Sequence, residues 1–251
     1  ALVQTILVAN PKGGSGKTTL ATNIAGWLAG KRQRVILEDR DPQQSSSFWL
    51  SRRPALFPPI AAAGDDAAAK GASHREAQWR VIDSAAGLHG EDLRDAVRAS
   101  DIMLVPVSPS VFDMAATARF LLQIAEYKSI KQGDLGVGLV GMRVDARTHS
   151  SADLDEFMKS APFPVVAQLR STQVYVYCAR DGARGMGGGR AAGRRGRGQP
   201  AALLRRRDRR HQTRRRRSVH QLDPEFAGRP DRDRVRRERR RTRADRAAPR
   251  P

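Results

Sequence analysis

Residues 10–19 read Asn10-Pro11-Lys12-Gly13-Gly14-Ser15-Gly16-Lys17-Thr18-Thr19. They follow an apolar run, Thr5-Ile6-Leu7-Val8-Ala9. They precede a segment, 17–29, that puts Leu20, Ile24, Trp27 and Leu28 on one helical face. A Gly-rich turn between a buried strand and a helix is the context a phosphate-binding loop requires. Gly13, Gly14 and Gly16 let backbone N–H groups turn inward without Cβ clashes, and the helix start adds the positive end of its dipole. In such a loop Lys17 reaches the β- and γ-phosphates, and the Thr18 hydroxyl ligates Mg²⁺. Ser15 and Thr19 complete the cradle. Where the strict pattern has a glycine, five residues before Gly16, this chain has Pro11, and it carries an additional lysine, Lys12.

That loop commits the surrounding chain to a particular architecture. Apolar runs recur at 34–38, 79–83, 102–107, 137–142 and 164–167, and helix-period segments at 89–99, 113–127 and 150–160 lie between them. Strands alternating with helices imply crossover units and a parallel sheet. Nearly continuous apolar strands imply burial on both faces. The expected fold is therefore α/β: a doubly wound, mostly parallel P-loop domain over residues 1–182. Residues 54–77, rich in Pro, Ala and Gly, read as a surface connection.

Two acidic stretches fall just after strands. Glu38-Asp39-Arg40-Asp41-Pro42-Gln43 follows the second run. A carboxylate at Asp41 could orient a water in line with a γ-phosphate, while Asp-Pro alone is also a common turn. Asp39 is a second acid of the same stretch. Asp83 ends the third run, where a carboxylate holds Mg²⁺. It is followed by Ser84-Ala85-Ala86-Gly87.

Lys12-Gly13-Gly14-Ser15-Gly16-Lys17-Thr18-Thr19 resembles the deviant Walker A loop of the ParA/MinD family of ATPases, and Asp39-Arg40-Asp41-Pro42-Gln43 resembles that family's Asp-x-Asp-Pro-Gln signature. The resemblance is nearest to short ParA-type partition proteins and covers about 1–182. It implies ATP and Mg²⁺ as cofactors and slow, partner-stimulated hydrolysis. It also implies an ATP-dependent sandwich homodimer in which Lys12 touches the partner's ATP, with Asp41 preparing the attacking water. Nonspecific DNA, a ParB-like stimulating protein and a cytoplasmic, nucleoid-associated location follow as expectations. The family often has proline where Ala85 stands, which leaves the path of that segment open. Val105–Asp113 resembles a stretch near the family's dimer face, and 170–175 resembles the approach to its last helices. From spacing alone, ordinary strand ends and caps explain both better.

Charge separates the chain into two parts. Residues 1–179 carry 20 basic and 18 acidic side chains, whereas residues 180–251 carry 26 and 8. Beyond about 183 the sequence becomes Arg-rich and low in complexity, with sparse apolar residues and no period, so a disordered segment is expected. Such an arm would bind nucleic acid through phosphates without sequence preference, and a nucleic-acid-binding protein acting through this tail is the alternative function. The same composition, with Arg, Gly, Ala and Pro but no Lys, is also that of a GC-rich gene read out of frame.

Other classes fit less well. A MinD-like membrane-positioning ATPase needs an amphipathic C-terminal helix, which 205–251 do not show. A single cysteine, Cys178, excludes a disulfide framework and a Cys-cluster metal site within one chain. It also argues against the iron-protein relatives of nitrogenase, which share a cluster through two cysteines. No apolar stretch reaches membrane-span length, and the N-terminus lacks a secretion-signal pattern. His74, His89 and His149 have no triad-like partners, and Trp27, Trp49 and Trp79 read as core or boundary residues.

Overall fold

The computed structural model describes residues 3–64 and 77–183. Residues 184–251, most of the expected disordered arm, lie outside them, as does His74.

Alternating apolar strands and helices produce one sheet of seven parallel strands: β1 (Gln4–Val8), β2 (Val35–Asp39), β3 (Ala61–Ala62), β4 (Trp79–Asp83), β5 (Ile102–Val107), β6 (Gly136–Val144) and β7 (Val165–Arg170). Their spatial order is β3-β2-β4-β1-β5-β6-β7. The helices are α1 (Lys17–Gly30), α2 (Ser45–Ser51), α3 (Gly90–Arg98), α4 (Val111–Ala125), α5 (Lys128–Gln132), α6 (His149–Ser160) and α7 (Val174–Arg180). The doubly wound reading therefore holds. Within 54–64, read as a surface connection, Ala61–Ala62 adds a short edge strand paired with Ile36 and Leu37.

Strand alternation divides the core between the two faces of the sheet. Leu7, Ile82, Met103, Val105 and Leu139 pack against Leu93 of α3, Met114 and Leu121 of α4, and Leu154 and Phe157 of α6. Ile6, Val8, Leu37, Val81, Leu104 and Val140 face Leu20, Ile24 and Leu28 of α1 and Trp49 of α2. Burial on both faces fails at β7, where no residue is fully buried. On the α1 side an apolar groove lined by Leu20, Ile24, Val140, Val166 and Leu169 runs beside that strand.

The α7 helix is held by donors from α2 and the turn after it. Trp49 Nε1 donates to the carbonyls of Cys178 and Ala183, Arg52 donates to that of Arg180, and Arg53 to that of Gly182. These bonds engage carbonyls in the last turn of α7 and just past its end, where helix geometry supplies few backbone donors.

Because the strands run parallel, their C-terminal ends share one edge of the sheet. The central strand β1 lies where connections turn to opposite sides, and the crevice at such a point is where open α/β sheets bind ligands.

Candidate functional site

The crevice collects the loop after β1, Asp39 from β2, Asp83 from β4, Ser108 after β5 and Arg143 near the end of β6. Asp39 and Asp83 are paired directly across the β2–β4 ladder.

The loop is braced from several directions. Asn10 is buried; its side-chain amide donates to the Pro106 carbonyl and the Thr117 hydroxyl, and its Oδ1 accepts from the Lys12 N–H at 2.9 Å. Gly14 and Gly16 take positive φ of 74° and 95°, the conformation for which glycine is favoured. Leu20 N–H donates to the Gly16 carbonyl and so starts α1. Among the described residues, none accepts from the N–H groups of residues 13–16. A run of free N–H groups at the head of a 14-residue helix is suited to an anion.

Lys17 is only 6% exposed. Its amine donates to the Lys12 carbonyl at 3.0 Å. Burial lowers its pKa, and the charges of Asp83 and Asp41 counteract that shift. Lys12 of the same loop is exposed.

Asp83 is fully buried, and neither carboxylate oxygen has a hydrogen-bond partner. Burial pushes its pKa up to about 6. The nearby Thr18 and Ser46 hydroxyls and the Lys17 charge ease that shift without forming a regular hydrogen bond, and Asp39 adds to it. A buried acid with two unpartnered oxygens beside a loop threonine fits Mg²⁺, an oxygen-seeking cation that is commonly bound by one or two protein groups together with phosphates and water. Among the described residues no cage of three or more His, Cys, Asp or Glu forms. A divalent ion here would therefore depend on Thr18, Asp83 and the ligand's own oxygens.

The two acids after β2 separate in role. The Asp39 carboxylate accepts from the N–H groups of Asp41 and Ser47, at 3.0 and 2.8 Å, and so shapes the turn into α2. Asp41 accepts from the Gln43 N–H with one oxygen, and its charge acts on Lys17. The segment after Asp83, left open by the sequence, returns to the loop: Gly87, at φ 75°, donates its N–H to the Pro11 carbonyl at 2.9 Å.

Sequence reasoning missed three contributors. Ser46 places a buried, unpartnered hydroxyl beside Asp83. Arg143 donates to the Gly14 carbonyl and to the Ser108 hydroxyl. Ser108, within the strand-to-helix stretch 105–113, donates its hydroxyl to the Ser15 carbonyl. None carries a local motif, because each reaches the loop from a strand end or helix distant in sequence. The same edge exposes Val111 and Phe112, at 68% and 79%, at the head of α4. Cys178 is half-buried in α7, His89 precedes α3 and holds the Gly87 carbonyl through its Nδ1, and His149 begins α6.

The model of the CobQ/CobB/MinD/ParA nucleotide-binding domain matches residues 6–177. The chain belongs to this family. A maintenance of carboxysome distribution protein A from Gloeobacter kilaueensis is 36% identical to this ParA-type chain over 118 residues, covering 44% of this chain and 51% of that protein. A chromosome-partitioning ATPase Soj from Thermus thermophilus is 49% identical over 53 residues, 21% of each chain. The matched region thus spans about half the length of the first relative and about a fifth of the second. The fold is shared with solved structures such as cobyrinic acid a,c-diamide synthase from Mycobacterium smegmatis with a bound ATP analogue and magnesium. Its TM-score is 0.55 at 22% identity, covering 72% of this chain and 92% of that one. Among the described residues no helix is long and apolar enough to cross a membrane.

Proposed function

We propose that this ParA-type chain binds and slowly hydrolyses ATP, and that ATP drives it into a sandwich homodimer that binds DNA nonspecifically. A ParB-like or other partner protein would stimulate hydrolysis and release the DNA, in a cycle that partitions plasmids or chromosomes or positions cargo. Relatives named for chromosome partitioning and carboxysome distribution support the class of role.

The observation that carries the reading is the split between the loop's two lysines. Lys17 is buried against its own loop, near Asp83 and Asp41, whereas Lys12 of the same loop is exposed. Lys17 is suited to a phosphate in cis. Lys12 is suited to stabilise charge on a phosphate held by a second copy, as an arginine finger does. The exposed Val111 and Phe112 at the head of α4 supply apolar surface for such a dimer.

In this reading each residue of the crevice takes one role. The N–H groups of residues 13–16 receive the phosphate oxygens, with Thr18 and Thr19 at the head of α1. Thr18 and Asp83 would hold Mg²⁺, which would supply positive charge to neutralise the phosphate oxygens. Asp41 positions the attacking water.

The test is a mass and DNA-binding measurement on the full chain with ATP, ADP or no nucleotide, across a salt series. The reading expects ATP-dependent dimers and ATP-dependent DNA binding. Strongly salt-sensitive binding that ignores nucleotide and survives Lys17→Ala would instead assign DNA binding to the Arg-rich segment.

A further inference from the structure

The strained end of β6 carries an arginine that none of the motif positions accounts for. Arg143 has φ 52°, in the left-handed region that costs an ordinary residue about 1–2 kcal/mol. The strain coincides with a slip in the ladder. Gly141 lies opposite Gln168 and Val144 opposite Arg170, so β6 spends three residues where β7 spends two. A bulge of this kind re-aims a side chain, and bulges concentrate beside functional sites. Gly141 accommodates it: a Cβ there would lie 3.1 Å from Met158, 3.3 Å from Gln168 and 3.4 Å from Val144.

The redirected guanidinium reaches the phosphate loop. One of its nitrogens, Nη2, donates to the Gly14 carbonyl at 2.9 Å and to Ser108 Oγ at 2.8 Å. Ser108 is 1% exposed, and its hydroxyl donates onward to the Ser15 carbonyl at 3.4 Å. Two successive loop carbonyls are thus tied to the ends of β6 and β5. Every peptide in the described chain is trans, and in a trans peptide the C=O and the following N–H point in opposite directions. Holding the Gly14 and Ser15 carbonyls on the side of Arg143 and Ser108 turns the N–H groups of Ser15 and Gly16 to the opposite side. Those N–H groups belong to the set with no described acceptor.

We infer that Arg143, acting with Ser108, is a positioning residue that pre-orients the Ser15 and Gly16 N–H groups for phosphate. It acts through the loop backbone and touches no phosphate itself. Pre-orientation removes an ordering cost that binding would otherwise carry. The inference rests on the assignment of residues 12–19 as the phosphate site. Because the N–H cradle serves ADP and ATP alike, the brace should support both equally.

The test uses the full chain as wild type, Lys17→Ala, Arg143→Gly, Ser108→Ala and the Arg143→Gly/Ser108→Ala double variant. Affinities for ADP and for a non-hydrolysable ATP analogue are measured with Mg²⁺ by fluorescent-nucleotide displacement, and thermal midpoints without nucleotide. Glycine suits the left-handed backbone, so Arg143→Gly should fold with an undiminished midpoint. The expected result is about a tenfold loss of affinity for both nucleotides, the loss of about 1.4 kcal/mol. Ser108→Ala should act in the same direction, and the double variant should lose less than the product of the single losses. Three outcomes would overturn the brace: unchanged affinity in Arg143→Gly, a matching fall in its nucleotide-free midpoint, or a loss confined to the ATP analogue. Binding that Lys17→Ala leaves intact would overturn the loop assignment, and the brace with it.

Discussion

The Lys17 amine donates to the Lys12 carbonyl oxygen across 3.0 Å, folding the buried lysine back onto the loop that carries it. The same loop leaves its first lysine exposed and buries its second near the charges of Asp83 and Asp41.

Lys17→Ala should weaken ATP binding by at least about tenfold to a hundredfold, as expected for a charge-assisted contact of about 1.5–3 kcal/mol. Calorimetry with a non-hydrolysable ATP analogue measures it. Wild-type affinity in the variant would remove the phosphate-loop assignment.

Lys12→Ala should leave nucleotide affinity of the monomer within about twofold, because its exposed amine does not contribute to the cradle. ATP-dependent dimers, followed by light scattering, should be lost. Dimers forming normally would end the trans role of Lys12.

Asp41→Ala should slow ATP turnover by about a hundredfold, the scale of a lost proton-handling or water-orienting group. The slower turnover should prolong the ATP-bound dimer. A phosphate-release assay at wild-type rate would take Asp41 out of the mechanism.

Asp83 makes nucleotide-free stability pH-dependent. Burial raises its pKa from 3.8 to about 6, so between those values the folded state holds a proton that the unfolded chain has released. The contribution of this group is therefore most favourable to folding below about pH 4. It is lost as pH rises through about 6, at a cost on the order of 3 kcal/mol. Asp83→Asn should flatten this dependence and raise the thermal midpoint at pH 8 without nucleotide, while weakening Mg²⁺-dependent binding. A midpoint at pH 8 that falls in the variant would contradict the buried, unpartnered state of the acid.

Much of this was legible in the sequence where the signal is local. The apolar run before Asn10, the glycines and the α1 periodicity sit within 25 residues, so strand, loop and helix could be read together. Asp83 could be located because it ends an apolar run. Short elements were not legible: α2 has seven residues and Ala61–Ala62 only two, too few for a periodic pattern. The different work of Asp39 and Asp41 was also hidden. Both are acids of one motif, and only the turn geometry shows that Asp39 is engaged by the Asp41 and Ser47 N–H groups.

By itself the sequence determined that the chain would build a parallel, doubly wound sheet with a phosphate-type loop after its first strand, since strand and helix periodicity and glycine backbone freedom are local properties. Only the tertiary structure decided which groups surround that loop. Parallel pairing brings the ends of β2, β4, β5 and β6 to one edge, burying Asp83 without a hydrogen-bond partner. The bulge in β6 then turns Arg143 onto Gly14, across 129 residues of sequence. Those relationships arise from strand order and register, which no single segment encodes.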